Sequence, residues 1–307
     1  LINYTVRRLL LALVILWGAL TLVFAVVRLV PGDPVSVILG PDATAEEVAD
    51  ARRELGLERN VVIQYASFLG RVTQLDFGQS FRHNRDAFEM VIERLPATVT
   101  LALTAICIAL VASFLLGIAA ALRPRGLADR AISVLSLIGQ SLPSFWVGII
   151  LLLIFARQLG WLPSAGNSTP QHLILPAVTL ALPFTSILVR LIRSGLLEVL
   201  GEGYIQTARS KGLRESVVLF RHALRNMLIP VVTVAGLQLG ALLGGTVVVE
   251  EVFSWPGLGR LLVDAIGNRD YTVIQAAIAF VTTAFVLVNL VVDLLYAYID
   301  PRVRVVN

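Results

Sequence analysis

The sequence predicts an all-α protein that crosses a membrane six times. Of its 307 residues 57% are hydrophobic and only 15% charged, against about 25% charged in an average soluble domain. Mean hydropathy is +0.82. The apolar residues gather into six runs of about twenty residues or more, the length a helix needs to span the hydrocarbon core, while the charges collect between the runs. The one cysteine, Cys107, lies inside an apolar run, so no intrachain disulfide is available.

In residues 1–30, Arg7 and Arg8 precede LLLALVILWGALTLVFAVV. This run is longer than a signal-peptide core and no small-residue cleavage site follows, so it reads as an uncleaved first span. Arg28 stands near its outer end, where a long side chain reaches the interface. Residues 31–95 are polar and net acidic and are expected to form the second region, an extracytoplasmic helical insertion after the first span. Pro31-Gly32-Asp33-Pro34 marks a turn. Thr44 and Glu47 have the spacing of a capping box for a helix that Gly56 would end. A second amphipathic stretch covers 61–72. The region needs no chemistry of its own; two surface helices account for its pattern.

The third region, 96–307, holds five further runs. The second span is expected over 97–122, followed by the arginine-bearing turn RPRGLADR (123–130). The third span, 131–156, is interrupted by Gln140, Ser141 and Pro143. Proline removes a helical hydrogen bond and frees a carbonyl at membrane depth. Such a break either lines a water-filled path or is a kink accommodated by packing. Residues 158–172 form a short loop with Trp161 at interface height. The fourth span, 173–192, contains Pro176 and Pro183. The fifth, 227–249, carries GLQLGALLGG (236–245), whose small residues let a neighbouring helix approach closely. A polar stretch, 250–271, has a Trp-Pro-Gly turn and a short amphipathic piece. The sixth span, 272–298, carries Asn289 and Asp293; a proton relay there would need a partner carboxylate or His at midplane depth, and the sequence offers none.

Between the fourth and fifth runs lies a polar island, 193–226. It holds six cations (Arg193, Arg209, Lys211, Arg214, Arg221, Arg225) and three acids (Glu198, Glu202, Glu215). Placing nine charges in lipid would cost about 20–30 kcal/mol at roughly 2.5–3.5 kcal/mol each, so the segment lies outside the bilayer. Tyr204, Ala208 and Gly212 follow at i, i+4 and i+8, on one helical face. Gly212 can take the left-handed conformation that ends a helix. A second helix would then restart near Arg214 and run into the fifth span, with Pro230 inside it. Helix–turn–helix on the membrane surface is one reading; a solvated loop is the other.

Charge asymmetry orients the chain. The N-terminus, 123–130, 193–226 and 299–307 together hold 13 Lys and Arg, against 3 in the short loops 157–172 and 250–271. By the positive-inside rule the first set, including both termini and the polar island, is cytoplasmic. The long loop 31–95 escapes that rule.

Several chemistries lack their residues. No G-x-x-x-x-G-K-[ST] phosphate loop occurs, nor H-E-x-x-H, C-x-x-C or G-x-S-x-G. His83, His172 and His222 are scattered and do not suggest a metal site. The cytoplasmic rim accounts for the basicity, so nucleic acid is not needed as a partner.

YIQTARSKGL followed by RHALRNMLIP resembles the "EAA" loop of ABC importer permeases, the membrane subunits of bacterial binding-protein-dependent transporters. Gln206, Thr207 and Ala208 take the places of Glu-Ala-Ala, and Gly212 that of the glycine. Gln replaces the Glu, and Leu228-Ile229-Pro230 stands at a shifted offset from the family's Leu-Pro; both departures resemble the oligopeptide/dipeptide branch. RLVPGDP (28–34), LDFGQSF (75–81), LPSFW (142–146), WLPSAG (161–166), LPAVTLAL (175–182), VEEVFSWPGLGRLL (249–262) and VVDLLYAYIDPRVR (291–304) resemble the same branch in order, over nearly the whole chain.

The resemblance implies a non-enzymatic permease subunit of the bacterial inner membrane. It would pair with a second, homologous permease. Two cytoplasmic ATPase subunits would carry ATP and magnesium, and an extracytoplasmic binding protein would deliver di- or oligopeptides. No cofactor is expected in this chain. The coupling helix would dock on the ATPase through Tyr204, Gln206, Thr207, Ala208, Arg209, Lys211 and Gly212. Trp255, Asp76 and Phe77 are candidate contacts for the binding protein, and Gln140, Ser141 and Pro143 candidates for the path. Nickel, glutathione and peptide permeases share these motifs, so the cargo stays open. An ion-coupled secondary transporter is the alternative, and would need intramembrane carboxylates and usually an internal repeat. A membrane scaffold without transport is a third reading.

Overall fold

The computed structural model describes residues 2–29, 44, 46, 49, 53, 59–80 and 82–299, and every named element among them is a helix. Glu47 of the expected capping box, its stop at Gly56, and the C-terminal end from 300 onward lie outside the described residues, as does the side chain of Arg28.

Helix α1 (Ile2–Leu29) is the first apolar run. Helix α2 (Val61–Thr73) matches the expected amphipathic stretch and is capped by Asn60, whose side chain accepts the Val62 N–H at 2.9 Å. It packs on α1 through an edge-on contact of Phe24 with Tyr65, ring centroids 5.0 Å apart. Helix α3 (Ala87–Leu122) starts ten residues before the expected span. Asp86 caps it by accepting the Glu89 N–H at 3.0 Å, and Glu89 places an acid in the first turn. The helix therefore runs continuously through Pro96 from the polar region into the apolar one.

Helix α4 (Leu127–Ser141) and helix α5 (Ser144–Leu151), extended by a π turn over Leu152–Gln158, replace the expected third span. The break is sharper than a kink: the two arms meet at 108° across Leu142 and Pro143, both in extended backbone. The pair nonetheless follows one side of helix α6 (Ile174–Leu200). Asp129 meets Arg193, Gly139 lies against Ser186, and Gly148 against Thr179. Those contacts step along α6 by 14 residues, about 21 Å of helical rise.

The expected fourth span is longer than its apolar core, because α6 continues through Arg193 and Glu198 to Leu200. Helix α7 (Gly203–Ser210) follows. The chain restarts at Glu215–Val217, with Arg214 as its cap residue, and passes through a π turn (Val218–Ala223) into α8 (Leu224–Val252), which contains Pro230. Helix α9 (Leu258–Gly267) and helix α10 (Tyr271–Ile299) complete the chain.

Four helices among the described residues are long and apolar enough to cross a membrane: Thr5–Val26, Ala87–Leu122, Pro170–Leu200 and Tyr271–Leu294. Two bent pairs, the 108° pair and Glu215–Leu228 with Pro230–Gly240 at 48°, bring the number to six if each is one span. Packing is divided between two clusters. Leu101 of α3, Leu188 and Ile192 of α6 and Val231 of α8 belong to the larger one. Phe24, Phe68, Phe77, Val91, Leu258 and Val273 join α1, α2, the start of α3, α9 and α10 in the other.

Glycines set the closest helix contacts. A Cβ on Gly117 would lie 2.7 Å from Ile192, so α3 and α6 touch backbone to side chain. On α8, a Cβ on Gly236 would lie 2.5 Å from Val292, and one on Gly240 2.9 Å from Phe285 and Asn289. Those two glycines of GLQLGALLGG admit α10, the close approach that small residues permit. Leu9, Leu10, Leu13, Val14 and Trp17 of α1 and Leu103, Val111 and Leu115 of α3 remain exposed.

Candidate coupling site and the opposite face

Helix α7 is short because both its ends are specified. Glu202 precedes it in extended backbone, and Gly212 follows at φ +76°. The Leu213 N–H reaches back to the Ala208 carbonyl at 3.4 Å and the Gly212 N–H to that of Arg209 at 2.9 Å. That pair of bonds is a Schellman ending, with glycine at its left-handed position. Arg209 then pairs with Glu215 across the turn, Nε to Oε2 3.2 Å.

The two faces of α7 differ. Ile205 and Ala208 are buried and belong to the larger cluster. Tyr204, Gln206, Thr207, Arg209 and Lys211 are exposed. The expected face of Tyr204, Ala208 and Gly212 is therefore corrected. Ala208 turns inward because Ile205, three residues before it, sets the buried stripe, and Gly212 lies beyond the helix. Tyr204 stays outward and tied down: Asn226 Nδ2 donates to its Oη at 2.6 Å.

A carboxylate–guanidinium pair joins α4 to α6. Asp129, buried in the first turn of α4, accepts from Arg193 Nη2 at 2.8 Å and from Arg193 Nε. It also takes the Arg125 N–H at 2.8 Å. Two parallel N–H···O bonds are the strong geometry of this pair. Sequence reasoning counted Arg193 among the surface cations and passed over Asp129, the lone acid within RPRGLADR.

At the opposite end of the bundle, two expected surface contacts prove internal. Trp255 is buried, and its indole N–H donates to the Ala97 carbonyl at 3.0 Å. Phe77 is buried in the second cluster. Neither presents a side chain to a partner; both motifs pack the fold. Asp76 is exposed and accepts the Gly78 N–H at 3.0 Å. Beside it Ser80 donates to Asp270 at 2.5 Å, joining the α2–α3 link to the start of α10.

Sequence reasoning also missed Glu250, which is fully buried. Its Oε2 accepts the N–H groups of Gly259 at 2.7 Å and Arg260 at 3.1 Å; its Oε1 accepts the Thr98 hydroxyl at 2.7 Å. Thr98 in turn accepts the Leu258 N–H at 2.8 Å. A carboxylate from α8 thus caps α9, whose own cap residue, Gly257, has no side chain. A Cβ on Gly257 would fall 2.2 Å from Glu250 Oε1, which is why glycine stands there. Glycines at 257 and 259 following a glutamate at 250 were the available signal.

Gln140, Ser141 and Pro143 are exposed at the α4–α5 break. A groove of about 480 Å³ opens between α4, α6 and α8, lined by Ser133, Ile187, Arg190, Leu191, Arg193, Ser194 and Val234.

Comparison with known proteins places this arrangement. Residues 113–305 match the family described as binding-protein-dependent transport system inner membrane component, and residues 1–102 match the N-terminal part of such membrane components. The glutathione transport system permease protein GsiC of Salmonella typhi is 45% identical over 303 residues, 99% of each chain. That of Escherichia coli (strain K12) is 42% identical over the same length and coverage. Among solved structures, an inward-facing MetNI methionine ABC transporter matches with TM-score 0.58 and 19% identity, over 69% of this chain and 96% of that one. An amino acid ABC transporter with histidines matches with TM-score 0.52 and 18% identity, over 70% and 94%. The structural likenesses establish the fold. The chain belongs to the binding-protein-dependent transport system inner membrane component family. It is a multi-pass permease subunit of an ABC importer, not an enzyme; ATP hydrolysis belongs to a partner, and a substrate-binding protein is the other partner the family implies.

Proposed function

We propose that this permease imports peptides, with di- and oligopeptides including glutathione as the cargo class, and that α7 is its coupling helix. The observation that supports the cargo is the 42–45% identity to glutathione permeases over 99% of the chain. What supports the coupling is the two-faced α7: Ile205 and Ala208 anchor it to the bundle while Tyr204, Gln206, Thr207, Arg209 and Lys211 face outward. In this reading the N-terminus, α7 and the C-terminus are cytoplasmic, as the charge asymmetry predicts. A second, homologous permease completes the path, past Gln140, Ser141 and Pro143. Two ATPase subunits hold ATP and magnesium and receive α7. ATP binding favours one of two packings of the permease pair, so closure of the ATPases moves α7 and switches access. Asp76 remains the binding-protein contact of the original three.

The test is to purify the tagged chain in mild detergent and identify what accompanies it, then to measure ATP-driven uptake of glutathione and a dipeptide in liposomes. Recovery of a second permease and ATPase subunits, with uptake that needs the binding protein, is the expected result. A homo-oligomer without an ATPase would contradict the assembly. ATP-driven uptake of a solute that is not a peptide would contradict the cargo.

A further inference from the structure

Helix α6 carries a cation within its spanning length that neither the coupling site nor the packing uses. Arg190 lies 16 residues after Ile174 and 10 before Leu200, hence about 24 Å and about 15 Å from the two helix ends. It is exposed, and among the described residues its guanidinium has neither ion-pair nor hydrogen-bond partner. Arg193, less than one turn on, is neutralised by Asp129. Among the described residues, the groove that both arginines line therefore holds one uncompensated guanidinium between the aliphatic walls of Ile187, Leu191 and Val234.

Arg190 stands three residues before the polar island, near the α7 end of the spanning stretch, and lines the groove. The walls come from α4, α6 and α8, and α6 is the most buried of the candidate spans. The groove lies on the open face of α6, opposite its buried stripe of Leu188, Ile192 and Leu196. It adjoins α4, the arm that leads to the Leu142–Pro143 break. Within it, the Ser133 hydroxyl donates to Asp129 (3.4 Å) and the Ser194 hydroxyl to the Arg190 carbonyl (2.9 Å). Both oxygens keep acceptor capacity for an amide N–H. A planar guanidinium with a free donor fork matches a carboxylate bidentately.

We infer that Arg190 is a carboxylate-binding residue of the translocation path, engaging the free carboxylate of a peptide in the half of the membrane nearer α7. This rests on the peptide-import reading. Because no described residue neutralises Arg190, the cargo supplies the counterion, and release follows when the groove opens to bulk water.

The experiment compares wild type, Arg190→Gln and Arg190→Lys in the complete transporter, with the second permease, ATPases and binding protein, reconstituted in liposomes. Uptake of glutathione and of alanyl-alanine is measured beside ATPase stimulation by the loaded binding protein and co-purification of the second permease. The expected result is an about tenfold fall in uptake for Arg190→Gln, partial recovery in Arg190→Lys, and retained stimulation and assembly. Equal uptake by wild type and Arg190→Gln overturns the inference and leaves peptide import standing. Loss of the second permease or of ATPase stimulation along with uptake also overturns it, assigning Arg190 to a subunit contact or to coupling. Failure of wild type to take up either peptide overturns both the inference and the reading beneath it.

Discussion

Thr98 and Glu250 are 152 residues apart in sequence and 2.7 Å apart in space, both buried. Between them they hold the first N–H groups of α9 and fasten α3 to α8. Replacing Glu250 by Ala leaves the Gly259 and Arg260 N–H groups without acceptors. Each buried orphan costs about 1–3 kcal/mol. Gly257→Ala, by pushing a methyl group into the carboxylate, should destabilise in the same direction. Thermal unfolding of the detergent-solubilised chain checks both. Melting temperatures equal to wild type would remove the junction from the account.

Asp129→Ala should also destabilise, but by less than the roughly 3–5 kcal/mol of a fully buried broken pair, because the Arg193 side chain is 30% exposed. The exchange Asp129→Arg with Arg193→Asp should recover part of the loss. A double-mutant cycle in the same unfolding assay measures the coupling; additive effects would mean that the two side chains do not depend on each other.

Much of this architecture was legible in the sequence. The apolar runs located the spans, Gly212 marked the end of α7, and the restart at Arg214 with Pro230 inside α8 followed from local pattern. These features depend on a few neighbouring residues. The buried ones did not show. Trp255 and Phe77 sit in turn-like wording that resembles surface, yet their burial is decided by α3 and by the second cluster. Asp129 and Glu250 find partners 64 and 152 residues away. Asp293, for which the sequence offered no acid or histidine, pairs instead with Arg8 of α1 at 2.8 Å. Helix α3 began early because Asp86 and Glu89 favour a helix start that hydropathy does not register.

The glycines of α8 make a graded prediction. Gly236→Leu and Gly240→Leu drive a side chain into Val292, Phe285 or Asn289 and should separate α8 from α10, with overpacking costs of about 1–3 kcal/mol. Gly244→Ala meets nothing within 4 Å and should be tolerated. The yield of monodisperse protein in detergent reads the contrast.

Gly212 separates folding from coupling. Gly212→Ala places a Cβ at φ +76°, worth about 1–2 kcal/mol of local strain, with open space around it. Modest loss of transport is expected. Gly212→Glu adds a charge beside the outward face of α7 and should leave ATP hydrolysis running without transport. Normal stimulation by binding protein and substrate in that variant would count against α7 as the docking element.

The most direct measurement uses a peculiarity of composition. Lys211 is the only lysine in the chain, and it is exposed at the end of α7. A lysine-to-lysine cross-link between this permease and another subunit must therefore pass through α7. The assembled transporter is treated with an amine-directed cross-linker in inside-out membrane vesicles and the products are mapped by mass spectrometry. A Lys211–ATPase cross-link is the expected result. An ATPase that co-purifies with the chain but never cross-links to Lys211, with Lys211 instead labelled by an impermeant reagent from the outer face, would contradict it.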